Sequence, residues 1–114
     1  EAAYSSADLA VTRAGAITLA EEAVLGVPAI LVPLPTAAEN HQEFNARARR
    51  KDGAAEMIKE SELDGPTLSE AILRLIDDPE GLSKMSERSR ALSVPDAADR
   101  IVKAMERARL LVET

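Results

Sequence analysis

The chain of 114 residues, 46% apolar and 2% aromatic with a net charge of −6, is long enough for one domain or a large piece of one, and too apolar to be disordered by default. It has no cysteine and a single histidine, His41, which excludes disulfides, thiolate metal sites and imidazole clusters, so no bound metal is expected. Nucleic acid is excluded as a partner: residues 1–46 carry six acids against Arg13 alone, residues 47–114 hold 13 bases against 14 acids, and Tyr4 and Phe44 are the only stacking surfaces.

The opening Glu1-Ala2-Ala3-Tyr4 lacks the basic flank of a signal peptide, and no apolar run reaches the roughly 18 residues of a membrane span, so a soluble, cytoplasmic chain is expected. Ala2 to Ala7 reads as the tail of a helix, as if an earlier strand and loop preceded it. Three short apolar runs then read as strands: Leu9 to Thr12, Ala29 to Val32 and Ala54 to Ile58. Between them lie a helix from Ala16 to Leu25, stopped by Gly26 and Pro28, and a second from Asn40 to Lys51, ending near Gly53. Such alternation is the pattern of a parallel sheet, and Ala29 to Val32, with no polar residue, reads as a strand buried on both faces.

After the third strand the chain becomes helical. Thr67-Leu68-Ser69-Glu70 reads as a capping box opening a segment with Leu68, Ala71, Ile72, Leu75 and Ile76 on one face. A helix from Glu80 to Leu92 follows Asp77-Asp78-Pro79, and a last one runs from Ser93-Val94-Pro95-Asp96 toward Val112. The expected fold class is therefore α/β: a three-layer, Rossmann-like parallel sheet with extra C-terminal helices. Residues 1–114 form a single partial domain, 1–58 being its β/α half and 59–114 its C-terminal helices, because three parallel strands make a thin sheet.

In parallel α/β sheets ligands bind at the carboxy ends of the strands. The turn Thr12-Arg13-Ala14-Gly15 leads there into a helix start whose free N–H groups and dipole suit a phosphate. Glu21 has two readings, the return partner of Thr18 in a capping box or a carboxylate clamp on a ribose diol. A second candidate lies beyond the next strand, where His41 and Gln42 could exchange hydrogen bonds with sugar hydroxyls, or Asn40 could be an ordinary N-cap beside a solvated histidine. Arg47, Arg49, Arg50 and Lys51 form either a solvated helix face or a weak patch for anionic lipid.

Taken in order, Thr12-Arg13-Ala14-Gly15-Ala16-Ile17-Thr18 through Glu21, then Gly26-Val27-Pro28-Ala29, Val32-Pro33, Asn40-His41-Gln42, Asn45-Ala46 and Ser93-Val94-Pro95-Asp96-Ala97-Ala98 closely resemble the signature of the MurG family of UDP-N-acetylglucosamine transferases. The resemblance implies the carboxy-terminal half of a GT-B donor domain, with the backbone of Ala16 and Ile17 and the Thr18 hydroxyl on the diphosphate and sugar, and Glu21 on the ribose. His41 and Gln42 stand where that family commonly has two glutamines that reach the N-acetylglucosamine hydroxyls. His41 departs from that pattern.

The resemblance further implies an inverting transfer, with UDP-N-acetylglucosamine as substrate and no cofactor. The family completes the lipid-linked disaccharide precursor of peptidoglycan, as a peripheral enzyme on the cytoplasmic face of the inner membrane. The family's glycine-rich loop, uracil-recognising strand and acceptor domain do not occur here, and no catalytic base can be named, so the chain alone is expected to be inactive. Two rival readings remain: an excised or engineered half-domain that self-associates through an open sheet edge, and a natural donor-binding subunit that works with a separate acceptor chain.

Overall fold

The computed structural model describes residues 8–35, 40–93, 100, 103, 104, 106 and 107. Its sheet has three parallel strands in the order β1 (Ala10–Thr12), β2 (Ala29–Leu31), β3 (Ala55–Met57), separated by helices α1 (Ala16–Leu25) and α2 (Asn40–Lys51). A 3-10 turn at Glu60–Glu62 follows, then α3 (Gly65–Ile76) and α4 (Pro79–Ala91). Residues 100, 103, 104, 106 and 107 are helical, in line with a last helix, whose remaining positions lie outside the described residues together with the expected helix at Ala2 to Ala7.

β2 is buried along its whole length, and its side chains alternate between two cores. Ala29 and Leu31 join Ala14, Leu19, Ala46 and Ala55 against α1 and α2. Ile30 turns the other way and packs with Ile58, Ala71, Leu75 and Met85 under α3 and α4. A period of two with both faces covered is what a central parallel strand requires, and it produces the three layers. The pairing continues past the strand ends, where Val32 N–H donates to Thr12 O at 2.8 Å and Ile58 N–H to Leu31 O at 3.0 Å. The chain therefore leaves each strand at nearly the same height, which forms one rim.

Helix α3 has its N-cap three residues before the expected capping box. Asp64 is the N-cap, accepting from Thr67 N–H at 2.8 Å, and Pro66 fills the first turn, where its missing N–H costs nothing. Thr67 lies inside the helix, so Thr67-Leu68-Ser69-Glu70 is not a capping box. Asp78 caps α4 in the same manner through Gly81 N–H.

Helix α4 then closes the amino-terminal edge of the sheet. Ser86 donates to Gly26 O at 2.6 Å and Ser89 to Glu22 O at 3.4 Å, so two serines one turn apart satisfy carbonyls at the end of α1. Two of the helices that end at this edge stop on a left-handed glycine, Gly26 (φ 66°) after α1 and Gly53 (φ 76°) after α2, and α4 lays an arginine over each. A Cβ on Gly26 would sit 2.4 Å from Arg90 Nε, and one on Gly53 would sit 2.7 Å from an Arg88 terminal nitrogen.

A carboxylate is buried where α1, α2, β1 and α4 meet. Glu22 accepts from the Thr12 hydroxyl at 2.7 Å and faces Arg49, and burial pushes its pKa up from the ordinary 4.5 to about 7 against the opposing pull of Thr12 and Arg49. The same burial lowers the pKa of Arg49 from its ordinary value.

Two outcomes follow for stability. Gly26→Ala and Gly53→Ala each destabilise by about 1–2 kcal/mol in urea denaturation, mostly through the positive φ because arginine ends can swing away. Gly65→Ala, whose Cβ meets nothing within 4 Å, is neutral or stabilising in the same assay. Since the folded-state pKa of Glu22 lies above the unfolded value, its contribution to stability is fully present below about pH 4.5 and is lost as pH rises through about 7. Glu22→Gln, which keeps an acceptor for Thr12, flattens that slope and gains about 1–3 kcal/mol at pH 8 while changing little at pH 4.5, read from denaturant midpoints at both pH values.

Candidate functional site

Three segments leave the carboxy ends of the strands: Arg13 to Gly15 after β1, Val32 to Pro35 after β2, and Ile58 into the 3-10 turn after β3. Arg13 ties all three together. Its Nη1 donates to Val32 O at 3.3 Å and its Nη2 pairs with the Glu60 carboxylate, so one guanidinium spans the exits of β1, β2 and β3.

A second tie comes from the first turns of α2. The side-chain oxygen of Gln42 accepts from Ala14 N–H at 3.3 Å and from Leu34 N–H at 3.0 Å, while Asn45 Nδ2 donates to Ala14 O at 3.3 Å. Both polar groups of the Ala14 peptide are thereby satisfied by side chains three residues apart on one helix face. Ala14 is fully buried, so without these amides its N–H and C=O would be orphaned. The clamp fixes the loop before α1 against the loop before α2.

Helix α1 starts on that loop with Gly15 as its N-cap, and no side chain caps it. Its first N–H groups therefore have no competing oxygen from the N-cap residue, which suits an anion. Ala16 and Ile17 are at the surface, whereas Thr18 and Glu21 are 5% and 3% exposed. The capping-box reading of Thr18 and Glu21 does not hold, because Thr18 lies within the first turn and not at the N-cap.

On α2 the adjacent residues His41 and Gln42 diverge. His41 is exposed and Gln42 is buried, as expected for neighbours about 100° apart on a helix. Asn40 is the first residue of α2, so the N-cap position falls on residue 39, outside the described residues. Beside this helix start a cleft of ≈360 Å³ opens between the exits of β2 and β3, lined by Pro33, Leu34, Pro35, Glu43, Lys59, Glu60 and Ser61. That volume is in the range of small-ligand sites, about 300–1,000 Å³.

The structure thus gathers Ala16, Ile17, Thr18, Glu21, His41 and Gln42 on one side of the sheet. It adds Arg13 and Asn45 as positioning groups and Glu22 as a buried neighbour. Two amides at i and i+3 on α2 were the legible signal for the clamp; Arg13 and Glu22 had none, because their partners lie in other elements. The basic run on α2 does not form a continuous patch, since Arg47 makes two bonds to Glu43 and Arg49 turns inward toward Glu22. Among the described residues, no group of three or more acids or histidines is arranged to hold a metal ion, and no helix is long and apolar enough to cross a membrane.

The clamp has a measurable signature. Gln42→Ala leaves two N–H groups without their acceptor and costs about 2–4 kcal/mol, with faster amide exchange at Ala14 and Leu34. Gln42→Glu, which still accepts both bonds, retains most of that stability at pH 7, and Asn45→Ala costs about 1 kcal/mol, all read by hydrogen exchange and urea melts.

Comparison with known proteins agrees with this architecture. The glycosyltransferase family 28 C-terminal domain model matches residues 1–101. The UDP-N-acetylglucosamine--N-acetylmuramyl-(pentapeptide) pyrophosphoryl-undecaprenol N-acetylglucosamine transferase of Desulfitobacterium hafniense is 55% identical over 101 residues, 89% of this chain and 27% of that protein. The Bacillus subtilis protein of the same name is 46% identical over 99 residues, 87% of this chain and 27% of its own length. The chain therefore spans about a quarter of the length of these curated relatives. Among solved structures, Acinetobacter baumannii MurG superposes with a TM-score of 0.74 at 34% identity, covering 93% of this chain and 30% of that one. The fold is that of the carboxy-terminal part of a GT-B donor domain, and the chain belongs to glycosyltransferase family 28, whose C-terminal domain it carries.

Proposed function

We propose that this chain is the UDP-N-acetylglucosamine-binding portion of a glycosyltransferase that forms the lipid-linked disaccharide precursor of peptidoglycan. The observation that carries the reading is the shared rim: Gln42 bonds both the Ala14 loop that starts α1 and the Leu34 loop that leads to α2, so the two helix starts face one place. The names of the relatives support it. The diphosphate docks on the N–H groups of Ala16 and Ile17 with the Thr18 hydroxyl, Glu21 binds the ribose diol, and His41 with the amide nitrogen of Gln42 meets the hexose.

Because Thr18, Glu21 and Gln42 are buried here, donor binding requires their side chains to become accessible. The partner that supplies the acceptor lipid and the catalytic base is an acceptor domain of the parent enzyme, which works as a peripheral protein on the cytoplasmic face of the inner membrane. The transfer needs no cofactor beyond the nucleotide sugar, and this chain alone does not catalyse it.

A second reading rests on the sheet edge. Among the described residues β1 pairs only with β2, and Val11 on it is 43% exposed, so a second copy could add its own strand there. Sedimentation velocity over a hundredfold concentration range decides it, a constant monomer removing the self-association reading.

The donor reading is tested by NMR titration of UDP-N-acetylglucosamine into this chain. Binding near millimolar, about −4 kcal/mol, is expected, with shifts concentrated at residues 14–21 and 41–42. Glu21→Ala weakens it by about tenfold or more, the loss of a charge-assisted pair of bonds. Equal affinity of both proteins removes Glu21 from the site, and shifts confined to the opposite edge of the sheet remove the site itself.

A further inference from the structure

We infer that Glu22 makes anion binding at the start of α1 proton-linked: when a diphosphate-bearing ligand docks on the first turn of this helix, the buried carboxylate takes up a proton. This deepens the donor reading above and rests on it. Glu22 lies six residues beyond Ala16, roughly 9 Å along the helix axis at 1.5 Å per residue, so it shares with the docked anion a short stretch of one helix. The space between Glu22, Arg49, Ser89 and the apolar walls Leu19, Val27 and Leu31 amounts to only ≈10 Å³. A void of that size is at the limit for a single water, so solvent screens the carboxylate poorly.

The groups around it are few. Thr12 on β1 and Ser89 on α4 are neutral; Glu21 on α1 and Arg49 on α2 are the charges that face it, with Asp52 acting on Arg49. The walls contributed by β2 and by the approach to β3, Ala29, Leu31, Ala54 and Ala55, carry no charge. Among the described residues Arg49 is the one cation facing the carboxylate, and it is shared with Asp52, so a second negative charge arriving at the helix start adds to the cost of ionised Glu22. Through a medium of effective dielectric about 20, unit charges on the order of 10 Å apart interact strongly enough to alter an equilibrium severalfold.

The ligand consequently favours the protonated acid, and by reciprocity the protonated acid favours the ligand. Burial already holds this carboxyl near neutrality, with a pKa of about 7, so the exchange falls in an accessible range. The Thr12 hydroxyl can bond either form, and uptake of the proton requires no rearrangement of β1.

The test uses UDP-N-acetylglucosamine, whose diester diphosphate keeps its charge between pH 6 and 8, with this chain and its Glu22→Gln and His41→Gln variants. Affinity in the unaltered chain is expected to be about three- to tenfold weaker at pH 8 than at pH 6. The same slope persists in His41→Gln, whatever its absolute affinity, and disappears in Glu22→Gln. The Glu22 carboxyl carbon, followed by NMR, titrates at higher pH with ligand than without. An equal pH slope in Glu22→Gln, or a carboxyl titration unmoved by ligand, overturns the proton linkage while leaving the donor site standing. No binding at any pH removes the donor site and the linkage with it.

Discussion

A single side-chain oxygen organises the rim of this domain. Gln42 accepts two backbone N–H groups, one from the turn that starts α1 and one from the turn that leads to α2, and Asn45 completes the Ala14 peptide from the same helix face. Polar backbone in a buried loop is tolerable only when every group finds a partner, and here the partners come from a neighbouring βα unit. The loop that presents α1 is thus held by α2, and a ligand at one helix start meets a surface already fixed by the other. Pre-organisation of this kind lowers the ordering cost of binding.

The two edges of the sheet are built for different ends. At the amino edge α4 supplies serines to the carbonyls of α1 and arginines over two left-handed glycines. At the carboxy edge Gly15, which has no side chain, is the N-cap of α1 and makes no side-chain cap bond to its first turn. The proposed site thus lies at the edge where loops at strand carboxy ends commonly carry function.

Charge sharpens the contrast. The first 46 residues are strongly acidic, which is an unfavourable setting for a diphosphate, and the fold offsets it in two ways. Arg13 is placed at the rim, spanning three strand exits, and Glu22 is buried, where desolvation raises its pKa to about 7 and leaves a good part of it protonated at neutral pH. A formal count of acids therefore overstates the negative field that a ligand at α1 would meet.

The element order, the parallel alternation and the buried central strand were determined by the sequence itself, because apolar period, glycine stops and proline positions act within a few residues. Ala29 to Val32 could hardly be anything but a strand covered on both faces, and the ordered motifs from Thr12 to Ala46 carried the family. Local chemistry is ambiguous where two caps compete: Thr67 and Thr18 both begin plausible capping boxes, but Asp64 is the N-cap of α3, and Gly15, before a helix that starts at Ala16 as expected, is the N-cap of α1. What only the tertiary structure decided is which polar side chains meet. Gln42 became a clamp, Arg13 a tie across three strands, and Glu22 a buried acid, because each depends on groups ten or more residues away, or in another element, that no window of sequence brings together.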